Sequence, residues 1–156
     1  MYPFQVAAIP TRVAEQVRTT GKSPNYGFPV HREIAAGRAP CRHCLKLIEI
    51  GREELLLFTY DPFREIGEPP LPGPVYIHAE QCPRYAGNQP IPEEYRGRLL
   101  TLEGFGENRA LLREVRASNG SEQNIAREMF DDLRCAMCTF AARRQDASCS
   151  DWSAPQ

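Results

Sequence analysis

The stretch "EELLLFTYDPF" (residues 53–63) is the clearest strand signal in the chain. Leu55 to Phe58 form an apolar run, Thr59 and Tyr60 add β-favouring side chains, and Asp61-Pro62 ends it. A strand of this kind needs partners. The next candidate is "VYIHAE" (residues 75–80), delivered by the Gly/Pro-rich surface connection "REIGEPPLPGP" (64–74). On a two-residue period Tyr76, His78 and Glu80 share a polar face, while Val75, Ile77 and Ala79 share an apolar one. His78 and Glu80 are therefore expected to project off the core together.

Working upstream, "FQVAAIP" (4–10) reads as a short strand ended by Pro10. Residues 11–20 suit a helical turn or two with Val13 and Val17 on one side, and "GKSPNYGFPVHREIAAGRAP" (21–40) reads as loop. Downstream, "GNQPIPEEYRGR" (87–98) is turn material, and "LLTLEGFGENRALLREVRA" (99–117) is a hairpin turning at "GEN". "NGSEQNIAREMFDDL" (119–133) is a helix capped by Asn119 or Ser121. Glu122 suits its first turn, and Ile125, Met129, Phe130 and Leu133 form its apolar stripe. "CAMCTFAARR" (135–144) is a last strand. The pattern predicts an α+β fold, a single compact domain over residues 1–144. It has a mainly antiparallel sheet, one clear helix in its C-terminal half and long Gly/Pro-rich loops. The tail at 145–156 is expected to be disordered.

Composition sets bounds. The chain has 156 residues, 42% hydrophobic and 25% charged, and a formal net charge of -1. That is ordinary for a globular protein and gives no global pull toward nucleic acid or an anionic membrane. Of 19 basic residues only Lys22 and Lys46 are lysines, which reflects either genome composition or arginines that grip anionic groups. The scattered arginines form no basic face, which argues against a nucleic-acid partner. The opening "MYPFQVAAIPTRVAEQ" lacks a basic n-region and is interrupted by Pro3 and Pro10, so it does not read as a signal peptide. Apolar runs such as "LLLF" are far shorter than the ~20 residues of a membrane span. The expectation is cytoplasmic, where thiols stay reduced.

Six cysteines are many for such a protein, and close spacings in a reducing compartment point to metal or redox chemistry. Cys41-x-x-Cys44 is a zinc half-site, since a tight turn lets two thiolates converge on one ion. His78 and Cys82, in "HAEQC", are the complementary half. Together Cys41, Cys44, His78 and Cys82 make a Cys3His set, which points to a closed, structural zinc site. Alternatives surround it. Cys138 is a replacement for Cys82 or His78, and Cys135 is three residues from it. Residues three apart on a regular strand face opposite sides, so buried core thiols are the preferred reading of that pair. His43 is expected to face water, with ligation or a hydrogen bond to a thiolate as the alternatives. Asp61 is read as a turn former, with a hydrogen bond to a ligating histidine as its alternative.

Two further functions compete. "HAE" (78–80) and "PCRHC" (40–44) reproduce, in reversed order, the halves of the zinc deaminase signature H-x-E…P-C-x-x-C. On that reading the protein is a zinc-dependent hydrolase or deaminase-like enzyme. Cys41, Cys44 and His78 hold the metal, a fourth position stays open, and Glu80 is the acid/base. The third reading is a thiol redox protein using Cys41 and Cys44, which lacks the βαβ context such motifs prefer.

The segments "PCRHCL", "GREELLLFTYDPF", "GPVYIHAEQCPRY" and "CTFAARR" together resemble a bacterial family of small proteins known only as domain of unknown function 1203. The resemblance runs in order over nearly the whole chain and implies one compact domain, with no activity or substrate attached. The chain departs from the family pattern at "RCAMC", where an aromatic residue and a Gly are expected before the final Cys.

Overall fold

The computed structural model describes residues 6–62, 64, 72–87, 92–95, 99–118 and 120–142. Among these residues two α-helices and eight strands follow in the order α1 (Thr11–Thr20), β1 (His31–Ile34), β2 (Ala39–Pro40), β3 (Leu47–Ile48), β4 (Glu54–Tyr60), β5 (Gly73–His78), β6 (Leu100–Gly106), β7 (Leu111–Ala117), α2 (Glu122–Asp131) and β8 (Cys135–Ala142), with a 3-10 turn at Glu93–Tyr95 between β5 and β6. Every strand pairing is antiparallel, and the fold is α+β as expected. The expected tail lies outside the described residues.

β4 is the centre of the first sheet, ordered β1-β4-β5. Its register with β5 sets Leu56 opposite Ile77 and Leu55 opposite His78. Leu55, Phe58 and Ile77 are buried, and Val13, Ala14 and Val17 of α1 pack with them into one core. α1 follows Pro10, and Gly21 closes it in the left-handed conformation that a Cβ disfavours. The second sheet, ordered β7-β6-β8, is the hairpin read from the sequence plus the last strand. Leu100 and Leu102 of β6 join Ala126 and Met129 of α2, Tyr95 and Leu45 in a second core.

Four expectations are corrected. Residues 6–10 form no strand. Ile9 N–H donates to Arg42 O, and the Arg84 guanidinium donates to the carbonyls of Ala8 and Ile9, so a side chain takes the place of a strand ladder. The segment read as loop contains β1, an edge strand whose exposed, charged "HREI" carries no apolar alternation. The strand ends at His78, and residues 79–80 form a bend that breaks the alternation before Glu80. Leu133 is wholly exposed, because α2 ends at Asp131 and the chain turns extended at Asp132, while Glu122, Ala126 and Met129 form the buried stripe.

Two features tie the halves together. Asp61, at the end of β4, pairs with Arg109 of the β6–β7 turn at 2.7 Å, with side chains 0% and 1% exposed. Asp61 is thus an ion-pair partner rather than only a turn former. The other tie is the Cys41–Cys44 turn.

Candidate metal centre

The short ladder of β2 and β3 pairs Pro40 with Leu47 and Ala39 with Ile48, so residues 41–46 are the loop of a tight hairpin. Cys41 N–H donates to Lys46 O and Leu45 N–H to Cys41 O, which draws both cysteines to one side. Leu45 adopts a positive φ of 60°, a conformation that favours glycine. Its side chain is buried in the second core, while Cys41 and Cys44 pack in the first. Burial of Leu45 offsets the backbone strain, and the turn bridges the two cores.

The turn docks on β5 through Arg42 N–H to Tyr76 O, and His78 N–H donates to Cys41 Sγ at 3.4 Å. Tyr85 N–H then donates to His43 O, folding residues 81–85 back over the turn and bringing Cys82 in. The ligand atoms of Cys41, Cys44, His78 and Cys82 all lie within 4.8 Å of one another. Two of these residues are buried and two partly exposed. The expected four residues are therefore together, and the set could hold a metal ion.

Separations test which ion fits. Around a tetrahedral ion with Zn–S of ~2.3 Å and Zn–N of ~2.0 Å, sulfurs stand about 3.8 Å apart and a sulfur and nitrogen about 3.5 Å apart. Cys41 Sγ and Cys82 Sγ are 3.9 Å apart, and Cys44 Sγ lies 3.4 Å from His78 Nδ1. The opposite ring nitrogen, His78 Nε2, is 3.3 Å from Glu53 Oε2. That oxygen also accepts from Glu49 N–H at 2.8 Å, which fixes its position. Nδ1 thus faces the sulfurs and is the atom that could ligate a metal, with the ring's tautomer set by the carboxylate behind it.

The sulfurs have cationic and hydrogen-bonding neighbours. Arg18 of α1 donates to Cys82 Sγ at 3.3 Å and, through two nitrogens, to His78 O. His43 is buried, not solvent-facing as expected: its Nδ1 is 3.2 Å from Cys82 Sγ and its Nε2 3.1 Å from Thr11 Oγ1. Burial, aided by the Arg18 and Arg84 guanidiniums, lowers its pKa and keeps the ring neutral. A neutral ring can donate from Nδ1 to Cys82 and accept the Thr11 hydroxyl proton at Nε2. Within the set, hydrogen bonds, first from Cys44, pull the Cys41 thiol down to about 3 against the effect of burial. Its bond to Cys41, then burial, pushes Cys44 up, and burial pushes Cys82 up. A metal ion binding here would require the remaining thiol protons to leave.

Other sequence candidates fall elsewhere. Cys135 and Cys138 pack against the second core, outside the four-residue set. Glu80 is exposed on the bend after β5, where its charge acts on Arg32. Asp61 is committed to Arg109. The sequence reading missed Glu53, Arg18 and Thr11. Only the apolar stripe of α1 hinted that Arg18, one residue past Val17, would lie beside the core.

Residues 38–150 match the model of a family described as "Protein of unknown function (DUF1203)". The chain belongs to that family. No curated protein and no solved structure matches it. The matched span of this DUF1203 protein holds all four residues of the centre and Glu53, while Thr11 and Arg18 precede it. Among the described residues no helix is long and apolar enough to cross a membrane.

Proposed function

We propose that this DUF1203 protein binds one zinc ion through Cys41 Sγ, Cys44 Sγ, His78 Nδ1 and Cys82 Sγ, and that the ion is structural. The observation that carries this reading is the 3.9 Å separation of Cys41 Sγ and Cys82 Sγ, the spacing of two ligands on one tetrahedral ion. Four protein ligands close the coordination shell, so no position is left for an activated water. The ion's role is architectural. It clamps the turn that bridges the two cores to the end of β5 and to the returning segment at Cys82. The proposal places the protein in a reducing, cytoplasmic setting, where thiolate ligands persist.

The test is elemental analysis of protein purified without chelator. About one zinc per chain is expected. Metal-free protein, folded and with all six thiols titratable, overturns the reading.

A further inference from the structure

A second sulfur cluster stands in the other half of the molecule. On a regular strand Cys135 and Cys138 would face opposite sides. The pairing of β6 with β8 is irregular there: Gly104 faces Cys138, Phe105 faces Met137, and Gly106 faces Cys135, leaving Ala136 as an extra residue. This bulge turns Cys135 onto the same face of the sheet as Cys138. Both residues opposite the cysteines are glycines; sulfur occupies the space above Gly104, while Asn108 Oδ1 and Arg134 O lie over Gly106.

Met129 of α2 fills that space from above. Its Sδ is 3.6 Å from Cys138 Sγ. A Cβ built on Gly104 would lie 3.2 Å from Cys135 Sγ and 3.5 Å from Met129 Sδ, so these two sulfurs flank the space glycine leaves unfilled, and Met129 Sδ joins them to Cys138 Sγ on the facing residue. A cavity of about 50 Å3, lined by Gly104, Met129 and Cys135 and also by Arg113, Glu128 and Asp132, adjoins the group. The two cysteines are only partly buried, which gives an ion a way in. Burial, then the neighbouring Cys135, pushes the Cys138 thiol up to about 12.

We propose that Cys135 Sγ, Cys138 Sγ and Met129 Sδ form a three-sulfur site for a soft monovalent ion, Cu(I). Two thiolates and a thioether are a soft donor set, which matches Cu(I) rather than a harder divalent ion. As the ion enters, the two S–H protons leave to solvent, the two Cu–S(thiolate) bonds form, and no electron is transferred. The site is separate from the Cys41–Cys44 centre in residues, core and ligand chemistry.

The experiment is anaerobic competition for Cu(I) between the full-length, zinc-loaded protein and a coloured Cu(I) chelator, with zinc release followed in the same sample. The expected result is one Cu(I) taken up with zinc retained. Cys135→Ala and Cys138→Ala each weaken uptake by about a hundredfold or more, beyond the loss typical of a merely supporting residue. Met129→Leu keeps the core volume, and X-ray absorption should show the sulfur shell of the bound copper falling from three to two. Copper taken up only in exchange for zinc, or uptake unchanged in the cysteine variants, overturns the proposal. If the cysteine variants do not fold, Met129→Leu decides alone: an unchanged sulfur count overturns it. These variants leave the first centre untouched, so they still report on the second if the first proves not to bind zinc.

Discussion

Glu53 Oε2 stands 3.3 Å from His78 Nε2, on the side of the imidazole turned away from the sulfurs of Cys41, Cys44 and Cys82. The carboxylate is itself held by the Glu49 backbone N–H, so it acts as a fixed post against which the ring is oriented. Glu53→Gln keeps the shape and can still accept a hydrogen bond, but it loses the charge. The expected effect is a fall in zinc affinity of about 10-fold, and about 100-fold for Glu53→Ala, measured by chelator competition. Because Glu53 is 44% exposed, neither change should unfold the zinc-loaded protein.

With zinc bound as proposed, Arg18 would supply the charge that balances a thiolate-rich centre. Three thiolates around one divalent ion leave a net negative charge, and the Arg18 guanidinium lies 3.3 Å from Cys82 Sγ. Arg18→Met retains the aliphatic stem against the core but removes the bonds to Cys82 and to His78 O. Bonds to charged groups are worth about 1.5–3 kcal/mol, so affinity for zinc should fall about 10- to 100-fold. Unchanged affinity in Arg18→Met would show that His43 alone suffices for Cys82.

The centre and the fold were legible in the sequence to different depths, and for physical reasons. Cys41 and Cys44 are paired by a local turn, and His78 and Cys82 by a short spacing, so ligand chemistry could be read without tertiary knowledge. Arg18, Glu53 and Thr11 come from α1 and from the turn before β4, and only packing brings them to the site. The strong strands β4 and β5, the β6–β7 hairpin and α2 carry dense apolar patterns. β1 does not, since an exposed edge strand is held by the ladder its neighbour β4 offers rather than by burial. The facing of Cys135 was not legible for a related reason: one extra residue in a bulge reverses the alternation of a regular strand, and no periodic pattern announces it.

Metal removal should cost stability directly, because metal binding and folding are linked. With free zinc 1,000-fold above its Kd the expected stabilisation is about 4 kcal/mol. For a chain of this size that corresponds to a thermal midpoint about 8–16 °C higher than in chelator-treated protein. Cys82→Ala should reproduce the chelated midpoint and no longer respond to added zinc. A Cys82→Ala protein that still gains the full shift would remove Cys82 from the ligand set and reopen a coordination position.

Glu80→Gln should leave zinc content unchanged and stability within about 0.5 kcal/mol, the usual range for an exposed side chain. Its side chain lies on the bend beyond β5, outside the four-residue set. Loss of zinc in this variant would bring the carboxylate into the centre and revive an acid/base assignment.

The Asp61–Arg109 pair offers a control in which stability and metal binding separate. Both side chains are almost fully buried, and the pair joins the end of β4 to the β6–β7 turn. Asp61→Asn keeps the volume but leaves the Arg109 charge buried without its counterion, a change that costs about 3–5 kcal/mol. Denaturant unfolding of the zinc-loaded variant should show that loss in full. Its affinity for zinc under native conditions should match that of the parent, since neither residue touches the ligands. A parallel loss of zinc affinity would mean that the two halves transmit strain through the bridging turn at Cys41–Cys44, with Leu45 and its positive φ as the first place to look.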